Sequence, residues 1–103
     1  MNSFFNCYNN YNKQSNIEEV SSGDFATLQK ARNDLIGEIS AVVQYDEHIH
    51  NSQDKSARMT WTNIKNEELV HVGELLALIN HLDPSQKQFV QKGIEGFNER
   101  IKS

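Results

Sequence analysis

The chain has 103 residues, of which 23% are charged, and its formal net charge is −4. An acidic chain of this length predicts one small domain, and it argues against nucleic acid or an anionic membrane as the main partner, because both attract basic surfaces. No apolar run approaches the roughly 20 residues that cross a bilayer, no secretory signal pattern opens the chain, and the single cysteine, Cys7, cannot form an internal disulfide. A cytoplasmic location is therefore expected.

The first 20 residues are rich in Asn, with Phe, Tyr and Ser between them, and they show no helical period. Such a composition predicts a disordered or loosely attached tail at residues 1–20. The regular patterns lie in residues 21–103, which are expected to form the helical domain.

Two long amphipathic helices are predicted next. The first begins near Ser21, Ser22 or Asp24, and it fades by Asn51; Ser21 and Asp24 have the spacing of a capping box. Residues 51–54 form a short polar turn whose side chains can cap the following helix. The second helix is predicted from about Lys55 to Leu82. A short turn between two long helices favours an antiparallel hairpin.

A third, shorter helix follows at Asp83-Pro84-Ser85-Gln86. Here Asp83 is predicted as the N-cap, Pro84 as the first-turn residue and Gln86 as the capping-box partner. Its apolar residues recur on one side, at Val90, Ile94, Phe97 and Ile101. No segment alternates with period two, so the sequence predicts an all-α fold without a sheet.

Three polar residues interrupt the apolar stripes of the hairpin. Glu38 lies on the stripe of the first helix, and Glu68 and His71 lie on that of the second. With the turn centred near residue 53, Glu38 and Glu68 each lie 15 residues from it, or about 22 Å along their helices. His71 shares the face of Glu68. Buried carboxylates need compensation, so the convergence predicts a metal site, and a Glu–His pair that fixes helix register is the alternative.

The other polar and aromatic candidates have weaker patterns. Glu67 and Glu74 are expected to be solvated, with guidance of cations as an alternative role for Glu67. Tyr45 is expected in the core, with a role beside the metal site as an alternative. No carboxylate on the facing helix lies level with any of the three remaining histidines, so these are expected to pack against other side chains or to face solvent. They are His48, His50 and His81.

The predicted ligands form half of a known set. Di-iron carboxylate bundles use one Glu from each of two helices and Glu-x-x-His from each of two others. This chain supplies one of each, so a homodimer would complete a four-helix bundle with two metal ions per dimer. The negative charge of the four carboxylates in the dimer balances the positive charge of two divalent ions. Iron is the preferred metal, and manganese is the alternative.

The segment from Asp34 to Glu38 with Tyr45, followed by Asn66 to His71, resembles the encapsulated ferritins and the short rubrerythrin-type proteins. The resemblance implies a ferritin-like fold and a ferroxidase centre at a homodimer interface, with Glu38, Glu68 and His71 as iron ligands and Tyr45 beside them. It also implies an annular decamer and residence inside an encapsulin shell.

Two other functions remain open from the sequence. A rubrerythrin-like peroxide reductase would use the same metal site but would need an external electron donor, because a built-in rubredoxin centre needs four cysteines. A non-catalytic helical interaction protein with a vestigial site would owe its properties to the helices and the Asn-rich tail.

Overall fold

The computed structural model describes residues 22–102, which form three helices: α1 (Ser22–His50), α2 (Lys55–Leu82) and α3 (Pro84–Lys102). Residues 22–102 contain no strand, so the predicted all-α class is confirmed. The predicted tail at residues 1–20 and Ser21 of the predicted capping box lie outside the described residues. Of the three helices, none is long and apolar enough to cross a membrane.

The turn between α1 and α2 is closed by side chains that satisfy both helix ends. The Asp54 carboxylate accepts a hydrogen bond from the Ala57 amide at 2.9 Å, which is the N-cap geometry predicted for this turn. The Arg58 guanidinium donates to the carbonyl of Ile49 and, at 3.1 Å, to that of Ser52. The bond to Ile49 satisfies a terminal carbonyl of α1, and the bond to Ser52 ties the turn to the first residues of α2.

The small core lies at the end of the hairpin far from the turn. Leu28 and Ala31 of α1 and Ile79 of α2 are buried, and Leu35 and Leu82 pack against them. Toward the turn, the facing residues are only half-buried. Two helices enclose a single seam, so large apolar side chains on their other faces stay exposed.

The start of α3 is held by the Asp83 side chain. Its Oδ1 accepts hydrogen bonds from the Gln86 amide at 3.2 Å and the Ser85 hydroxyl at 2.7 Å, so the predicted N-cap is confirmed. The predicted return bond from the Gln86 side chain is wrong. The Asp83 amide already donates to the Ile79 carbonyl at 2.8 Å, and Gln86 Oε1 instead accepts from Arg32 Nε at 3.0 Å. Arg32 also pairs with Asp83 Oδ2 at 2.9 Å and so ties α1 to the start of α3.

Candidate metal centre

The hairpin brings Glu38, Glu68 and His71 together. His71 Nδ1 lies 3.4 Å from Glu38 Oε1 and 3.9 Å from Glu68 Oε1. One ligand atom from each residue lies within 4.8 Å of the other two. Three atoms that bind one ion at about 2.0–2.2 Å lie at most about 4.4 Å apart, so small side-chain rotations bring this group to ligand distances.

The two carboxylates are largely covered, whereas the imidazole is more open. Their side chains are 23% exposed for Glu38 and 21% for Glu68, against 47% for His71. Glu38 Oε2 is buried and has no hydrogen-bond partner among the described residues. A buried acceptor without a donor is costly, and a cation bound between the carboxylates would satisfy it.

The closeness of the two carboxylates disfavours the ionised form of Glu68. The side-chain hydrogen bond with Glu38 raises the pKa of Glu68 above its ordinary value of 4.5, and loss of solvation and the Glu38 charge raise it further. The positive charge of His71 lowers the pKa of Glu68, and the charge of Glu67 adds a smaller increase. The first three causes prevail because two carboxylates this close cannot both ionise without cost.

A groove of about 490 Å³ opens beside Glu38 and His71, which both line it. Asp34 and Gly37 of α1 and Glu74 of α2 form its walls, together with Leu75 and Leu78. Glu74 is exposed, as expected, but it lies on the wall of this groove, and neither Glu74 nor Asp34 was predicted to line the site. Helical spacing could have indicated that both residues lie beside the cluster, because Asp34 lies four residues before Glu38 and Glu74 lies three after His71.

The remaining candidates lie away from the carboxylates. Tyr45 is half-buried, and its ring meets His48 edge-on at a centroid distance of 6.0 Å. His48 in turn packs on Trp61 at 5.0 Å, in agreement with the packing role expected for that histidine. His50 and His81 are exposed.

The donor set determines what this centre can do. Two carboxylates and one imidazole leave coordination positions open toward the groove, whereas structural zinc sites are closed and favour thiolate or several imidazoles. Oxygen-rich sites with an imidazole suit iron or manganese. One chain can therefore supply part of the coordination of a metal ion, and the remaining coordination positions stay open to another group.

The three helices match a ferritin-like helical fold, and the resemblance to encapsulated ferritins is confirmed. The chain is similar to the encapsulated ferritin domain from Pyrococcus furiosus seen in a crystal structure, with a TM-score of 0.72 and 28% identity over 84% of this chain and 88% of that one. It is also 34% identical over 65 residues to a ferritin-like-encapsulin shell fusion protein of the same organism. That match covers 63% of this chain and 19% of the relative. No family model matches the chain.

Proposed function

We propose that the protein is a ferroxidase that oxidises Fe(II) to Fe(III) at a di-iron centre shared between two copies of the chain. The observation that carries this proposal is the convergence of Glu38, Glu68 and His71, with ligand atoms within 4.8 Å of one another. The similarity to an encapsulated ferritin domain supports iron as the metal.

A second copy would complete the site that one hairpin leaves open. Each chain contributes two carboxylates and one imidazole, so a two-fold contact over the groove gathers four carboxylates and two imidazoles. Two divalent ions neutralise four carboxylates. Gly37 in the groove wall would allow a second copy to approach closely. It has no side chain, and the space that a Cβ would occupy has no heavy atom within 4 Å.

Iron is the substrate, and the side chains position it and manage charge. Glu38 and Glu68 would bind Fe(II) as carboxylates, and because the pKa of Glu68 is raised, the ion competes with a proton for this group. His71 would supply the neutral nitrogen ligand. Two Fe(II) ions each give up one electron, and one O₂ with two protons takes them to form H₂O₂; a peroxide oxidant would take the same two electrons to form water.

The proposal extends to the partners. The dimer would be the unit of a larger ring, such as a decamer of five dimers. The ferric product would be stored in an encapsulin shell, since the P. furiosus relative joins a ferritin-like part to an encapsulin shell part. Manganese is the alternative metal for the same donor set.

Initial rates of Fe(II) oxidation test the activity. We expect Glu38→Ala to lose the protein-dependent rate, whereas Glu47→Ala, which removes an exposed carboxylate from the same helix, keeps it. Equal rates for the two variants would overturn the proposal.

Anomalous diffraction at the iron edge, on crystals soaked with Fe(II), tests the geometry. Two ions within about 4 Å of each other, bound by Glu38, Glu68 and His71 of two chains, are expected. Ions scattered over surface carboxylates would contradict the shared centre.

A further inference from the structure

Helix α3 presents a row of apolar side chains on one of its faces. The row consists of Val90, Ile94, Phe97 and Ile101, which are 39%, 50%, 58% and 66% exposed, and we call it the α3 stripe. Spacings of four, three and four residues place its members on one face of the helix. Four large apolar side chains in one row exceed the scattered exposure of an ordinary surface and indicate a place where another segment packs.

The N-terminal sequence carries aromatic side chains of its own. Two phenylalanines and two tyrosines lie within residues 4–11, and we call this stretch the aromatic segment. Before the first helix, the only charged side chains are those of Lys13, Glu18 and Glu19. So short a stretch of chain is far too small to bury four rings in a core of its own. Burial of these rings needs a surface outside the segment.

We propose that the aromatic segment of each chain packs on the α3 stripe of the same chain and covers it. The contact is apolar, between the rings of the segment and the Phe97 ring with its aliphatic neighbours, and aromatic side chains contribute large buried areas. It leaves Glu38, Glu68 and His71 untouched, so it does not depend on the proposed iron oxidation.

The hairpin brings the two parts to the same end of the molecule. Helix α1 begins at Ser22 and α3 begins at Pro84, and each of these residues lies 31 positions from residue 53 in the turn. The ion pair between Arg32 and Asp83, at 2.9 Å, also joins α1 to the start of α3 at this end. The N-terminal sequence therefore enters the fold beside the start of α3.

The chain between the aromatic segment and α1 is long enough to reach the stripe. Residues 12–21 form this link, and ten extended residues span at most about 35 Å. The α3 stripe starts about 9 Å along its helix and runs for about 16 Å, at 1.5 Å per residue. The whole stripe thus lies within reach of rings that are tethered at the start of α1.

A second exposed apolar row, on α1, is a poorer surface for the segment. It consists of Ile36, Ile39 and Val43, and it ends about 32 Å from the start of α1, near the limit of the same link. Charge points the same way. Residues 12–21 carry two acidic side chains and one basic side chain. Helix α1 has a net charge of −3 and α3 a net charge of +2, so electrostatic attraction favours α3.

A second copy of the chain is a weaker competitor for the stripe. A tethered partner has an effective concentration on the order of 1 mM, so in a sample at about 10 µM a second copy is roughly a hundredfold more dilute. Two α3 helices packed together would also place two net charges of +2 side by side. The segment of the same chain is therefore the favoured occupant.

Gly93 leaves room for a ring beside the stripe. It lies three residues after Val90 and four before Phe97, so it borders the same face. A Cβ at Gly93 would meet no heavy atom within 4 Å, so the described residues do not require glycine there, although glycine lowers helix propensity. A ring of the aromatic segment seated against the bare backbone would use this space.

Cys7 makes the contact measurable, because it lies inside the aromatic segment and is the only cysteine of the chain. A nitroxide attached to its thiol in ¹⁵N-labelled full-length protein, with chelator present to exclude metal, broadens the amide signals of nearby residues. We expect the signals of residues 90–101 to weaken more than twofold relative to the reduced nitroxide. Signals of residues 55–62, at the opposite end of the hairpin, are the internal control and should keep their intensity.

A mixed sample decides which chain the segment contacts. In it, ¹⁵N-labelled Cys7→Ser protein without the nitroxide is combined with unlabelled protein that carries the nitroxide. We expect residues 90–101 to keep their full intensity in this mixture, because the segment packs on its own chain.

Phe97→Ser tests the stripe itself, because it removes the largest side chain of the row. We expect this variant to lose the broadening of residues 90–101. Met59→Ser is the matched control, since Met59 is 55% exposed, close to the 58% of Phe97, but lies on α2 near the turn. It should keep the broadening. Helical circular dichroism verifies that both variants fold.

Four results would overturn the inference: full intensity of residues 90–101 in the same-chain sample, equal broadening in the mixed sample, broadening unchanged by Phe97→Ser, or broadening of the α1 row instead of α3. Glu38→Ala separates this contact from the proposed function, because it is expected to lose iron oxidation and to keep the broadening. A wild type that shows the contact but does not oxidise iron would refute the ferroxidase alone.

Discussion

At the scale of single residues, Glu38 and Glu68 share a charge that the chain alone does not balance. The Glu38 Oε2 atom is buried without a hydrogen-bond partner among the described residues, and the bond to Glu38 raises the pKa of Glu68. A cation would relieve both conditions, since it favours the ionised form of both carboxylates and satisfies the buried oxygen. The metal centre should therefore titrate with pH.

The raised pKa of Glu68 predicts how metal binding depends on pH. Below that pKa a divalent ion must displace one proton, so the affinity for Co(II), a probe that air does not oxidise, is expected to rise about tenfold per pH unit. Cobalt absorption titrations at several pH values measure this. A flat profile across the acidic range would contradict the raised pKa of Glu68.

The raised pKa of Glu68 also predicts how the stability of the metal-free protein depends on pH. This trend is opposite to that of metal affinity, because the stabilisation falls as pH rises. The native state holds the Glu68 proton more tightly than the unfolded chain, so this stabilisation is fully present below 4.5 and is lost as pH rises through the native pKa. Glu68→Gln resembles the protonated form, and we expect its stability relative to wild type to increase with pH. Urea unfolding with chelator present measures it, with Glu67→Gln as the neighbouring control.

At the scale of the helices, the Asp54 cap makes a modest and separable contribution. Its carboxylate accepts from the Ala57 amide at 2.9 Å. We expect Asp54→Ala to lower the free energy of unfolding by about 1 kcal/mol. Iron oxidation by the folded variant should equal that of wild type, because the cap lies at the turn, far from Glu38. A loss of activity at full helicity would contradict this separation.

The link between α1 and α3 should contribute more. Asp83 is 7% exposed in its side chain, and Arg32 neutralises it at 2.9 Å. We expect Arg32→Ala to cost about 3 kcal/mol, the low end for a broken buried pair, because Asp83 keeps its bonds to Ser85 and Gln86. Lys65→Ala is the control, since it breaks the more exposed pair with Asp46 and should cost at most about 1 kcal/mol. Equal losses in the free energy of unfolding for Arg32→Ala and Lys65→Ala would contradict this prediction.

The helix boundaries could be predicted because local chemistry sets them. Asp54 and Asp83 cap the amides three residues onward, as their sequence positions indicated. The Gln86 side chain could not be predicted in the same way. Its partner, Arg32, lies 54 residues earlier, and a charged donor from another helix outcompeted the local amide.

The candidate site shows the same division. Glu38, Glu68 and His71 could be brought together from helical spacing and the position of the turn. The groove could not, because its walls at Asp34 and Glu74 depend on how far the two helices separate beside the carboxylates. Sequence also did not show that α3 would leave its apolar stripe exposed, since periodicity identifies a face but not what covers it.

At the scale of the whole molecule, metal and assembly should be coupled. A small buried core at one end of the hairpin provides limited stability, so an ion bound across two chains, as proposed, would add a large share. At a free metal concentration 100 times the dissociation constant, binding adds about 2.7 kcal/mol. For a domain of this size that corresponds to a rise in melting temperature of about 10–20 °C. The rise should depend on protein concentration if two chains share the site.

Removal of metal from matched variants tests this coupling. We expect a chelator to lower the melting temperature of wild type and Glu47→Ala alike and to leave Glu38→Ala unchanged. Without metal, Glu38→Ala should melt at or above wild type, because four clustered carboxylates repel one another and the variant keeps two. Calorimetry at two protein concentrations measures both effects. If Glu38→Ala were stabilised by metal as strongly as wild type, the ion would have to bind elsewhere, and the shared centre would be excluded.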